Sequence, residues 1–130
     1  MPSYSPEIRF SDIDAMGHVN NAVYLSYFEQ ARIFYFKHIL DQDWDWFKHG
    51  ILVARNEINY AAPIFQKDKI EIITKCTHIG TKSFTITYEV MRGSEVCSTG
   101  ASVLVCFDYH QKTTISIPDD MRKKLESLKV

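Results

Sequence analysis

One change of period restricts the fold of this chain more than anything else in it. From Asn21 to His49 there is no glycine or proline, and Tyr24, Phe28, Ala31 and Tyr35 fall at i, i+4, i+7 and i+11. That spacing is one wide apolar stripe on a helix, and Tyr27 and Phe34 carry the apolar surface further round it. Asn20 and Asn21 suit an N-cap, so the helix is expected from 21 to about Leu40, ahead of the loop "DQDWDWFKHG". Beyond Gly50 the period becomes two. "ILVARNEINYAAPI" reads as a strand ended by Pro63, which has no N–H for a ladder. Segments 69–80 and 83–92 alternate cleanly, with Phe84, Ile86, Tyr88 and Val90 on one face. Arg92-Gly93-Ser94-Glu95 reads as a hairpin turn into a long strand, "EVCSTGASVLVCFD", in which Gly100 marks a bulge or a close backbone contact. A short strand is also expected at 5–11, where Ile8 and Phe10 alternate with Glu7, Arg9 and Ser11, then a last strand near 113–117 and a helix from about Asp119. A helix apolar on most sides, followed by an uninterrupted run of four or five antiparallel strands, wants to be wrapped by that sheet. The class is α+β and not doubly wound.

At 130 residues the chain is one domain, 1–130. Hydrophobic residues make up 45% and charged residues 24%, which separates it from disordered sequences. A formal net charge of −1 provides no broad positive field for nucleic acid. Cys76, Cys97 and Cys106 are odd in number, include no CxxC pair and follow no signal peptide, the pattern of reduced thiols in a cytoplasmic protein. All three sit in strand-like segments and read as small core residues. The longest apolar run, "VLVCF", is far too short to span a bilayer.

Chemistry concentrates in "RFSDIDAMGHVNNAVYLSYFEQAR", residues 9–32, which sets two aspartates, a histidine and two asparagines at the mouth of the apolar helix. "DIDAMG" begins like a calcium loop, but Met16 and Val23 stand where such a loop needs an oxygen ligand and a bidentate glutamate. The strand order excludes the parallel sheet of aspartyl-phosphate phosphatases. No G-x-S-x-G, H-E-x-x-H, P-loop or G-x-G-x-x-G occurs.

The stretch "FSDIDAMGHVNNAVYLSYFEQAR" is similar to the active-site signature of hotdog-fold acyl thioesterases, in the branch of 4-hydroxybenzoyl-CoA thioesterase and the short bacterial acyl-CoA thioesterases. Its D-x-D-x-x-x-H-V-N-N form also resembles plant acyl-ACP thioesterases. Over 51–107 the likeness is one of pattern, in "NEINYAAPIFQKDKIEI" and "GTKSFTITYEV". The resemblance implies a hotdog fold, a long central helix wrapped by a five- to six-stranded antiparallel sheet. It implies Asp14 as the catalytic carboxylate, Asp12 as an acidic position without that role, and a backbone N–H at Asn21 that holds the thioester oxygen. His18 matches the catalytic histidine of the plant relatives, whose partner asparagine is replaced by Met16. A catalytic and a turn-buttressing role for His18 both stay open. Thr81, Lys82 and Ser83 fall where relatives bind the pantetheine arm and phosphates of CoA, and Tyr24 is a candidate for the acyl pocket with Tyr27, Phe28, Trp44 and Trp46.

The residue types suit thioester hydrolysis. A thiolate leaves without much acid assistance, since a simple thiol has a pKa of about 8.5. The site therefore needs an activated attack, which Asp14 supplies as base or as nucleophile, and stabilisation of the oxyanion, which the free N–H groups and positive end of the helix supply. Glu29 is a second carboxylate on the helix, with Arg32 at i+3 as a partner. His38, His49, His78 and His110 read as surface residues, and the run Arg122-Lys123-Lys124 as the solvated end of the last helix. The expected activity is an acyl-CoA thioesterase needing no cofactor or metal and assembling as a homodimer or homotetramer. The alternatives are a non-catalytic acyl-thioester-binding module and an acyl-ACP thioesterase.

Overall fold

The alternation beyond residue 50 builds one antiparallel sheet. The computed structural model describes residues 3–129. In order, its elements are β1 (Ser3–Tyr4), α1 (Val23–Ile39), β2 (Gly50–Tyr60), β3 (Glu71–Ile79), β4 (Ser83–Arg92), β5 (Glu95–Asp108), β6 (Thr113–Thr114) and α2 (Asp119–Leu128). The six-stranded sheet has the order β1-β3-β4-β5-β2, with β6 pairing the end of β5. The long β2 is thus an edge strand, hydrogen-bonded to β5 along one side only.

The α+β hotdog arrangement expected from the sequence is the one observed: α1 packs against one face of the antiparallel sheet. Phe84, Ile86, Tyr88 and Val90 of β4 meet Tyr27, Phe28, Ala31 and Tyr35 of α1 in one buried core. Phe28 stacks on Tyr88 with ring centroids 4.3 Å apart and planes 4° from parallel. The edge of the Phe28 ring sits on Gly100, where an added Cβ would stand 2.5 and 2.8 Å from two ring carbons. Gly100 is therefore a close contact, not a bulge. Met121 and Leu125 of α2 are fully buried, with Met121 Sδ 4.0 Å from Cys106 Sγ. All three cysteines are free and buried. Burial raises each thiol pKa, to about 11 for Cys106.

Four local expectations are corrected. Segment 5–11 is not a strand: pairing is confined to Ser3–Tyr4, and Phe10–Asp12 form a single 3₁₀ turn in which the Arg9 N–H donates to Asp12 Oδ2. Phe10 is consequently 81% exposed, although its spacing from buried Ile8 suggested a shared face. The helix begins at Val23, with Ala22 at the cap position, because the Asn20 side chain folds back onto the Ala22 N–H. It is buried on one side only, leaving Leu25 and Ile33 exposed. The last strand is limited to Thr113–Thr114. Among the described residues no helix is long and apolar enough to cross a membrane.

Candidate active site

The sequence between the 3₁₀ turn and α1 closes into a small loop with Asp14 at its turn. Ile13 and Val19 form an antiparallel bridge. Inside it the Asp14 N–H donates to His18 O at 3.0 Å, and the Gly17 N–H donates to Asp14 O at 3.0 Å. Gly17 takes φ +86°, a left-handed conformation that glycine adopts without strain. One carboxylate oxygen of Asp14 accepts the Met16 N–H at 2.9 Å. The other lies 3.8 Å from His18 Nδ1, outside direct hydrogen-bond range, and both side chains are partly exposed. His18 Nδ1 is nearer to Val19 O, at 3.3 Å. Met16 points to solvent at 79% exposure, so nothing replaces the asparagine that accompanies this histidine in the plant relatives.

The loop is lashed to the helix start through Asp12. Its carbonyl accepts the Asn20 N–H at 2.9 Å, while its carboxylate accepts the Tyr27 hydroxyl at 2.7 Å and the Arg9 N–H at 3.0 Å. On the far side the Val19 N–H donates to Ile64 O at 2.7 Å. At the entrance to α1, Asn20 occupies two donors, taking the Ala22 N–H on its side chain and the Val23 N–H on its carbonyl. The Asn21 N–H has no hydrogen-bond partner among the described residues, and it lies one residue before the Ala22 cap, beside the positive end of the helix. The Tyr60 hydroxyl holds the next peptide by donating to Asn21 O at 2.9 Å. Asp14, His18 and Asn21 are thus brought together on one loop and helix end.

The other candidates lie elsewhere. Tyr24 is 2% exposed and packs edge-on against Tyr60 at 5.0 Å, and burial pushes its hydroxyl pKa up to about 12. Thr81, Lys82 and Ser83 form the turn between β3 and β4, at the opposite end of the sheet from Asp14. Ser83 opens β4, whereas Arg92 at the other end donates to Pro63 O, next to the Ile64 that holds the Asp14 loop. A strand of that length spans about 30 Å. The turn is clamped by Arg122, whose guanidinium donates to Gly80 O at 2.8 Å and Thr81 O at 3.1 Å. In the sequence Arg122 reads as part of a solvated basic triplet; its partner becomes visible only when α2 is placed beside the turn. Glu29 reaches Arg32 at 3.7 Å, as their spacing suggests. Trp46 and Arg32, with Phe36, Leu40, Ile51 and Val53, line an open groove of about 760 Å³ between the C-terminal half of α1 and the start of β2. Among the described residues no three His, Cys, Asp or Glu side chains converge as a metal-ligand set.

Comparison with known proteins shows the family. Residues 8–125 match the model of the thioesterase-like superfamily. The long-chain acyl-CoA thioesterase FadM of Escherichia coli (strain K12) is 27% identical over 94% of this chain and 95% of its own. The 1,4-dihydroxy-2-naphthoyl-CoA hydrolase of Nostoc punctiforme is 27% identical over 96% of this chain and 86% of its own. A thioesterase from Thermus thermophilus, solved with coenzyme A and Zn, superimposes with a TM-score of 0.85 at 34% identity, over 96% of this chain and 91% of that one. The chain belongs to the thioesterase-like superfamily and is a hotdog-fold thioester hydrolase.

Proposed function

We propose that the chain hydrolyses acyl-CoA thioesters to free acid and CoA, with Asp14 as the working carboxylate and the Asn21 N–H as donor to the carbonyl oxygen. One observation carries this reading. A carboxylate and a free N–H at a helix N-terminus stand on a loop whose two arms are tied together at Asp12 and Asn20. As the thioester carbon becomes tetrahedral, charge gathers on its oxygen, where the N–H and the helix dipole stabilise it. Asp14 either deprotonates the attacking water, so that the tetrahedral carbon expels CoA thiolate and leaves the free acid, or attacks the carbonyl itself, expelling CoA thiolate to leave a mixed anhydride that water then hydrolyses. His18 buttresses the turn, its carbonyl accepting the Asp14 N–H and its ring Nδ1 lying 3.3 Å from Val19 O. Two relatives named for CoA thioesters favour CoA over an acyl-carrier protein, and retention of Asp14 favours an enzyme over a binding module.

The edge strand supports a homodimer. β2 presents a side with no partner strand among the described residues, with Leu52 and Val53 exposed, and Ile33 of α1 shares a groove with Val53; such an edge pairs with another chain unless blocked. The end of β2 is tied to the helix start by Tyr60, and its beginning borders the open groove. Antiparallel pairing of two β2 strands about a two-fold axis would set each Asp14 loop beside the partner's groove. It would also bring the partner's 80–83 turn to the same end, which reconciles the two halves of the expected substrate site. The groove lining then suits an apolar acyl group. The three buried thiols suit a reducing compartment, the cytoplasm.

The test is release of free thiol from acyl-CoAs running from acetyl to palmitoyl, with benzoyl-type acyls included. Turnover is expected for at least one class, and Asp14→Asn should lower kcat by roughly 10²–10⁴-fold with the fold intact. Full activity in Asp14→Asn, or equal losses in Asp12→Asn and Asp14→Asn, would show the wrong carboxylate. Light scattering should give twice the chain mass or a multiple of it; a monomer at micromolar concentration refutes the assembly.

A further inference from the structure

Of the two aspartates in D-x-D, only Asp14 has a part in the proposed chemistry, yet Asp12 is the more heavily bonded. Its N–H donates to Arg9 O, its C=O accepts from Asn20, and one carboxylate oxygen accepts both the Tyr27 hydroxyl and the Arg9 N–H. Asp12 is therefore the node between the arm that carries Asp14, two residues on, and the arm that leads through Asn20 to the Asn21 N–H. Tyr27 reaches this node from α1 itself, one turn beyond the helix start, with its ring buried at 1% exposure. Resting on the reading of Asp14 and Asn21 given above, we propose that Tyr27 is a positioning residue for hydrolysis: through Asp12 it sets the separation between the Asp14 carboxylate and the Asn21 N–H. The helix that supplies the oxyanion donor also supplies the strut that holds the carboxylate arm against it. Burial, and then the hydrogen bond to Asp12, raise the Tyr27 pKa, so the strut keeps its proton across the working range of the enzyme.

The test separates positioning from stability. Tyr27→Phe removes one hydroxyl and is expected to lower kcat about tenfold while KM stays within about twofold, as for a reacting group displaced by a fraction of an ångström. Tyr88→Phe is the matched control: it deletes another buried hydroxyl, bonded to Ser102 at 3.0 Å within the core, and should lower Tm comparably with kcat unchanged. Asp12→Ala should reproduce the kcat loss, and Tyr27→Phe/Asp12→Ala should be no worse than the poorer single variant, because the two act as a unit. Asp12→Asn keeps an oxygen acceptor for Tyr27 and should restore most of kcat; this pair at Asp12 also serves if Tyr27→Phe does not fold. Unchanged kcat in Tyr27→Phe, an equal kcat loss in Tyr88→Phe, or additive losses in the double variant would overturn the proposal. A dead Asp14→Asn beside an unaffected Tyr27→Phe removes this proposal alone. Full activity in Asp14→Asn removes the reading of the site and this proposal with it.

Discussion

Replacing Gly100 by alanine adds one methyl group at a tight contact between α1 and the sheet. The new Cβ would meet the Phe28 ring at 2.5 and 2.8 Å and the Glu57 carbonyl at 2.9 Å, where carbon contacts normally settle at about 3.5–4.0 Å. Neither neighbour yields easily. Phe28 is held by its stack on Tyr88, and Glu57 belongs to the β2–β5 ladder, in which Glu57 pairs with Ala101. Relief requires α1 to rise by a sizeable part of an ångström, and overpacking of this kind costs about 1–3 kcal/mol. A value near 2 kcal/mol corresponds to a fall in Tm of roughly 8 °C for a domain of this size. Thermal unfolding followed by circular dichroism measures it. Phe28→Leu, which shortens the ring that clashes, should make Gly100→Ala cheaper, so the double variant should lose less than the sum of the singles. Since α1 carries the Asn21 N–H at its start, kcat should fall with the helix displacement even at temperatures where Gly100→Ala is fully folded. An unchanged Tm in Gly100→Ala, or strict additivity with Phe28→Leu, would refute the packing argument.

Three more outcomes are expected. His18→Ala should keep the shape of the wild-type pH–rate profile and lose about 1 kcal/mol of stability; loss of an inflection from that profile would instead put the imidazole in the chemistry. Tyr35→Phe should raise Tm in a melting experiment, because the Tyr35 hydroxyl is buried without a partner among the described residues and its desolvation is uncompensated; a lower Tm would mean that a trapped water satisfies it. Asp68 is held below the ordinary carboxylate pKa by the Phe65 N–H and then by Arg92. Its stabilisation is therefore complete above the unfolded value, near pH ~4, and is lost as pH falls through the lower folded value. Asp68→Asn should flatten the plot of Tm against pH in that acid range, and an unaltered slope would exclude Asp68 as its source.

How much of this was legible depended on whether the signal was local. The alternation of Phe84, Ile86, Tyr88 and Val90 needed only the pleat, and all four are buried as read. The helix end near Leu40 and the hairpin at Gly93, where φ is +62°, needed only local chemistry. The N-terminal strand failed because two alternating apolar residues do not outweigh an Asp12 that folds back onto the Arg9 N–H. The exposed face of α1 was misjudged since Leu25 and Ile33 are apolar whether or not anything covers them. Asp14, His18 and Asn21 could be proposed from the sequence because one short segment contains them all. Tyr27's bond to Asp12 joins two elements, and the distance from Asp14 to the 80–83 turn depends on strand direction across the whole sheet. Neither follows from spacing along the chain.

The three buried cysteines bear on how the enzyme can be watched. Their thiols are shut away from solvent and kept protonated at neutral pH by burial, and only a thiolate within reach attacks a disulfide reagent at a useful rate. A chromogenic thiol reagent mixed with the native protein would therefore register CoA and nothing else, giving a clean baseline for turnover. Once the sheet opens, Cys76, Cys97 and Cys106 become reactive together, so the same colour change, taken without substrate, counts unfolded molecules. Catalysis and stability of every variant can then be read on one scale from one sample.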